Sequence, residues 1–120
     1  MQIIEGSGRY PEIIIDADNS FIALRGICAP ESGARVFLPV MAFVEEMIND
    51  KQSINMAFNL KYFNSISAHY LLKIFVKIAQ RLQDGDAKIE WKFDPDDEDN
   101  KIKGEYFAEL SGLEFDFVEL

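Results

Sequence analysis

The sequence predicts a single α/β domain with a mixed β-sheet, an N-terminal antiparallel hairpin and about three helices, and three observations predict it. Between Ile54 and Leu82 the apolar period changes from two residues to nearly four, as it does where a strand runs into a helix. Two further stretches, Ala34 to Asn49 and Asp94 to Leu110, carry helical spacing between strand-like segments. The order along the chain, β-β-α-β-α-β-α-β, is that of an opening hairpin followed by strands joined through helical crossovers.

Taken in turn, Met1 to Tyr10 reads as a lead-in without structure of its own. Its Gly6-Ser7-Gly8 lacks the Gly-Lys-Ser/Thr ending and the preceding buried strand of a nucleotide loop. Pro11 introduces Glu12 to Asp16, where Ile13-Ile14-Ile15 is strand-like. The turn residues Asp18-Asn19-Ser20 then lead into Phe21 to Ile27, which makes a hairpin. After the loop Ala29 to Gly33, the residues Val36, Phe37, Val40, Val44, Met47 and Ile48 follow helical spacing, and Pro39 limits where that helix starts. Ile54, Met56, Phe58 and Leu60 alternate as a strand with one apolar face. Ile66, Tyr70, Ile74, Ile78 and Leu82 then recur every fourth residue, with Leu71 and Phe75 widening the stripe. Asp84-Gly85-Asp86 ends that helix, and Lys88 to Phe93 alternates again with Ile89, Trp91 and Phe93 on one face. A third helix follows, with an acidic first turn and an inner stripe of Ile102, Tyr106 and Leu110. Gly112 breaks it, and Leu113 to Leu120 forms a last strand.

Composition excludes several functions. A chain of 120 residues, 48% of them hydrophobic, is one domain spanning 1–120 with an ordinary core, without repeats or linkers. With 21 acidic against 12 basic residues its net charge is −9, which disfavours both nucleic acid and an anionic membrane surface as partners. The single Cys28 permits no internal disulfide and fits a reducing cytoplasm. No stretch approaches the roughly 20 apolar residues of a membrane span, so the expectation is a soluble cytoplasmic protein.

Chemistry is scarce. His69 is the sole histidine and Cys28 the sole thiol, so neither a histidine-based metal site nor a Ser/His/Asp triad can be assembled, and no cofactor is implied. The run Asp94 to Asp99 has Asp99 where a calcium loop needs its sixth-position glycine. What stands out is Asn64-Ser65 at the strand-to-helix switch. A hydroxyl there either caps the helix, which is worth about 1 kcal/mol, or accepts a phosphate that the free N–H groups and the helix dipole favour. Ser65, His69, Lys73, Lys77 and Arg81 follow at four-residue steps, either as a solvated basic stripe or as a docking ridge for an acidic partner.

These residues also carry a resemblance. Asn59-Leu60-Lys61-Tyr62-Phe63-Asn64-Ser65, Ile74-Phe75, Ile89-Glu90-Trp91 through Asp94, Asp97-Glu98-Asp99 with Gly104-Glu105, and the ending Leu113 to Glu119 look like the SiaC family of bacterial regulatory phosphoproteins. Pro39-Val40 with Val44-Glu45 fits the same family. The resemblance implies a STAS-like domain, similar to anti-sigma-factor antagonists. It also implies phosphorylation on the hydroxyl residue after the turn Asn by a cognate Ser/Thr kinase, and reversal by a metal-dependent phosphatase. In its unmodified form such a protein binds and stimulates a diguanylate cyclase. Asn64 and Ser65 are then turn and acceptor. Ile66, Ala68 and His69 depart from the family pattern of further hydroxyls and a Lys, which makes Ser67 a second candidate acceptor. The function read from the chain is a non-enzymatic adaptor binding its partner through Asn64, Ser65, Ser67, His69, Lys73 and Lys77. Two alternatives stand beside it: an antagonist acting on an anti-sigma kinase, and a small enzyme or ligand carrier using the apolar surface near Tyr62, Phe63 and Trp91.

Overall fold

Strand β4, Ile54–Phe63, is the middle of the molecule, and its alternation is the reason: Ile54, Met56, Phe58 and Leu60 are all buried on one side. The structure is a computed structural model describing residues 1–83 and 85–120; the Asp84 of the expected helix-ending turn lies outside them. On one flank of β4 lies β3, Phe21–Cys28, and on the other β5, Ala87–Phe93, both parallel to it. β6, Phe115–Glu119, extends the parallel set, while β2, Glu12–Asp16, joins β3 antiparallel through the turn at Ala17–Asn19. The expected hairpin is therefore present. The lead-in is not structureless: Gln2–Ile4 forms β1, an edge strand antiparallel to β2, giving one six-stranded sheet in the order β1 to β6. Two consecutive isoleucines are too short a run to show a period, which is why this strand escapes a reading by pattern.

Three helices connect the parallel strands: α1, Ala34–Asp50, α2, Ser65–Arg81, and α3, Glu98–Ser111. Parallel crossovers are right-handed, and three made in the same direction place all three helices on one face of the sheet, with α2 packed between α1 and α3. The registered row Ile13, Leu24, Phe58, Trp91 and Phe117 points into that layer. The neighbouring row Ile14, Ala23, Ala57, Glu90 and Asp116 lies on the opposite, uncovered face. Pro39 is tolerated as the sixth residue of α1, on its exposed side, although it has no N–H for the carbonyl one turn back.

A β-bulge shapes the end of β4. Gly26 pairs with Leu60 but Ile27 pairs with Tyr62, so Lys61 is the extra residue. Gly26 has φ +99°, a conformation glycine adopts without strain. The extra residue shifts the alternation by one, turning Phe63 inward against Trp91 and leaving Tyr62 outside.

The inner face of α3 differs from expectation. Asn100, Gly104 and Phe107 are buried, whereas Ile102, Tyr106 and Leu110 are 56%, 60% and 48% exposed. Both sets have helical spacing, and Trp91 decides between them. Its indole is 1% exposed and donates Nε1–H to the Asn100 carbonyl at 3.1 Å, and the helix comes so close that only glycine fits at 104. A Cβ there would lie 2.6 Å from Trp91 Nε1. Replacing a helical glycine by alanine ordinarily stabilises by up to ~1 kcal/mol. Here the overpacking cost, about 1–3 kcal/mol, reverses the sign, so Gly104→Ala is expected to lower stability in urea unfolding followed by Trp91 fluorescence.

Candidate functional site

The start of α2 is held by a small set of hydrogen bonds. Asn64, its N-cap, accepts the Ser67 N–H on Oδ1 at 3.0 Å and donates Nδ2–H to the Pro30 carbonyl at 2.9 Å. Ser67 has no exposed surface; its hydroxyl donates to the Cys28 carbonyl at 2.9 Å and lies 3.3 Å from Cys28 Sγ. The same carbonyl accepts the Asn64 N–H at 3.2 Å. The ends of β3 and β4 and the first turn of α2 are thereby tied together, and Ser65, the first residue of the helix, is left exposed to water.

Ser65 stands on the rim of a groove of about 590 Å³ between α2 and α3. Ala68, His69 and Leu72 form one wall, Ile102, Tyr106 and Leu110 the other, and Phe63 and Phe107 lie at its base. Among the described residues, Lys103 is the only lysine or arginine that lines it, and no carboxylate does. Contiguous apolar surface open to water in this way is characteristic of a binding face. It offers a partner about 1.5–3 kcal/mol for each large aliphatic side chain it covers completely.

The structure gathers some of the sequence-predicted residues here and disperses others. Asn64, Ser65 and His69 meet at the groove. The rest of the basic ridge leaves it, because a helix turns about 100° per residue and steps of four advance by about 40° each. By Lys77 and Arg81 the ridge has wound round to α1, where both cations meet Glu45, Lys77 at 2.8 Å and Arg81 at 3.1 Å. Arg81 also donates to Asn49 at 2.6 Å. The Lys77 and Arg81 hydrogen bonds hold the Glu45 carboxyl below its usual pKa. These charges join two helices, and Lys73, exposed and 5.9 Å from the Tyr70 ring, stands between the two regions. Ser67 is a buried link, reachable by a kinase only if the first turn of α2 comes away. Of the apolar surface expected near Tyr62, Phe63 and Trp91, Trp91 is covered by α3, whereas Tyr62 and Phe63 line the groove. Missed from the sequence were Ile102, Lys103, Tyr106 and Leu110; the only available sign was Gly104, since an apolar stripe cannot face inward if the glycine beside it must.

A family model described as SiaC family regulatory phosphoprotein matches residues 4–120. The chain belongs to the SiaC family. No curated protein sequence matches it. Among solved structures it is similar to one chain in the crystal structure of the complex between the diguanylate cyclase SiaD and its activator SiaC from Pseudomonas aeruginosa, at 23% identity, 100% coverage of both chains and a TM-score of 0.91. It is also similar to SiaC of Pseudomonas aeruginosa, at 24% identity, 98% and 97% coverage and a TM-score of 0.82. The apo-SiaC crystal structure from that organism gives 23% identity, 99% and 98% coverage and a TM-score of 0.78. At these identities the likeness establishes the fold, and with it the mixed sheet and three helices of this SiaC-family chain.

Two outcomes test the junction. Asn64→Ala removes a cap and a link to Pro30 and is expected to cost about 1–2 kcal/mol in urea unfolding. Burial pushes the Cys28 thiol above its ordinary pKa, with the Ser67 hydrogen bond pulling weakly the other way. The folded state therefore holds the proton more tightly than the unfolded chain, and this contribution to stability is lost as pH rises past the unfolded thiol's pKa, ~8.5. Thiol reagents at mildly alkaline pH are expected to label Cys28 only when urea opens the fold; rapid labelling of the native protein would contradict its placement.

Proposed function

We propose that this protein is a non-enzymatic activator of a diguanylate cyclase, switched off by phosphorylation of Ser65. A cognate Ser/Thr kinase transfers the terminal phosphoryl group of a nucleoside triphosphate to Ser65 Oγ, releasing the diphosphate and the hydroxyl proton, and a metal-dependent phosphatase hydrolyses the ester with water to serine and inorganic phosphate. Unmodified, the protein docks through the groove beside Ser65; modified, it carries roughly −1.5 to −2 additional charges at the rim of an apolar contact. The observation that carries this reading is the juxtaposition of an exposed helix-start hydroxyl with apolar residues presented to water. Membership of a regulatory phosphoprotein family supports it, as does the solved complex in which SiaC is the activator of SiaD. We place the protein in the cytoplasm, acting as one domain over 1–120; among the described residues no helix is long and apolar enough to cross a membrane.

Desolvating the phosphate against apolar surface costs more than the serine hydroxyl does, because taking a charged group out of water is expensive. The modification needs no refolding of α2, since a phosphate at a helix start is compatible with the free N–H groups and the dipole. Activation is thus controlled at the contact surface.

The test uses the purified diguanylate cyclases of the source organism, with cyclic di-GMP synthesis and binding as readouts. Phosphoserine at 65 is expected to weaken binding at least tenfold. Tyr106→Ser and Ile102→Ser, both at exposed positions, are expected to weaken it similarly without lowering stability, whereas Lys77→Ala is expected to leave it unchanged. Groove variants that activate as well as the parent protein would refute the docking face. If no cyclase responds and an anti-sigma kinase binds instead, the antagonist reading takes its place.

A further inference from the structure

We infer that Lys103 is the counter-charge for phosphorylated Ser65, and that the resulting bridge from α3 to the start of α2 closes the end of the groove. The inference deepens the proposed function, since it rests on Ser65 as the acceptor. Elimination leads to it first. Of the twelve lysines and arginines, Lys103 alone lines the groove that Ser65 borders. Lys77 and Arg81 are held by Glu45, Arg25 by Glu12, Arg9 by Glu31 and Lys92 by Glu90. Among the described residues no ion pair joins Lys103 to a carboxylate.

The position of Lys103 gives the second argument. Its Nζ lies 5.1 Å from the centre of the Phe63 ring, over the residue that precedes Asn64 and Ser65. The ammonium is therefore held over the aromatic face at the base of the groove, a weak contact of about 0.5–1 kcal/mol at an exposed site, and is free to exchange it for a stronger one. A phosphate two residues along the chain offers charge-assisted hydrogen bonds, roughly twice as strong as neutral ones. The surrounding apolar walls strengthen that attraction relative to open water. With the phosphate and the lysine stem spanning the gap, the groove is narrowed where a partner would pass Ser65, so one contact both neutralises the modification and obstructs docking.

The other titratable groups facing this point are His69 on α2, Tyr106 on α3 and Tyr62 at the end of β4, with Lys73 one turn beyond His69. None changes between a wild-type protein and a Lys103 variant, so a comparison of the two isolates the lysine.

The experiment is a phosphorus NMR titration of the full chain carrying phosphoserine at 65, following the second ionisation of the phosphate near pH 6. Lys103 stabilises the dianion, so the wild-type midpoint is expected to lie about half a pH unit below that of Lys103→Met, a shift of the size a partly exposed ion pair produces. Lys103→Arg is expected to restore the lower midpoint, and about 1 M salt to shrink the difference between the wild-type and Met midpoints. Identical midpoints for wild type and Lys103→Met overturn the inference. Lys103 is exposed and Met keeps its apolar stem, and Trp91 emission verifies the fold; should that variant fail it, Lys103→Gln compared with wild type at low and high salt decides the question. No cyclase enters this measurement. A Lys103-dependent midpoint in a protein whose phosphorylation leaves cyclase binding intact would uphold the ion pair and refute both the closure of the groove and the proposed function.

Discussion

The position of Ser65 depends on one side chain. Asn64 satisfies an orphan N–H of α2 with its oxygen and the Pro30 carbonyl with its nitrogen, so the helix start is secured against the loop that follows β3. Ser67 completes the link by reaching the Cys28 carbonyl from inside. Because both anchors are buried or half-buried, Ser65 and Ile66 between them are held in register while the Ser65 hydroxyl remains in water. Under the proposed function a phosphate on Ser65 would be added to this secured helix start, with its effect at the surface around it.

That surface exists because of what happens beneath α3. The β4 bulge turns Phe63 into the core, where Phe63, Trp91 and Phe107 pack with ring centres 5.7–5.9 Å apart. The helix settles on Trp91 with Gly104, and this close approach dictates its rotation. Every large apolar side chain of α3 other than Phe107 is consequently directed away from the sheet. A helix that leaves Ile102, Tyr106 and Leu110 in water has given up several kcal/mol of possible burial. A partner that covered these side chains would recover it, which is why the proposed function places docking at the groove.

Much of the architecture was legible in the sequence because β4 and α2 advertise their periods without ambiguity, and Asn64-Ser65 marks the switch between them by cap chemistry. The parallel strands followed from the intervening helices, and the hairpin from Asp18-Asn19-Ser20. Pattern failed where two interpretations had the same period. On α3 the stripe of Ile102, Tyr106 and Leu110 and the stripe of Asn100, Gly104 and Phe107 are both helical, and hydrophobicity favours the first. Only the steric demand of Trp91, a residue distant in sequence, selects the second. On α2 the four-residue ridge from Ser65 to Arg81 was legible as a pattern, but its drift around the helix carries its distal cations to Glu45. The burial of Ser67 was hidden for the same reason: its partner, the Cys28 carbonyl, is brought in by the pairing of β3 with β4.

The most direct test maps the proposed contact itself, by amide hydrogen exchange of the unmodified protein with and without the diguanylate cyclase proposed as its partner. Protection concentrated at Asn64 to Leu72 and along α3 from Ile102 to Leu110, abolished by phosphoserine at 65, is the predicted result. Protection of the uncovered sheet face around Arg25, Asn59 and Lys61, with the groove exchanging as in the free protein, would contradict it.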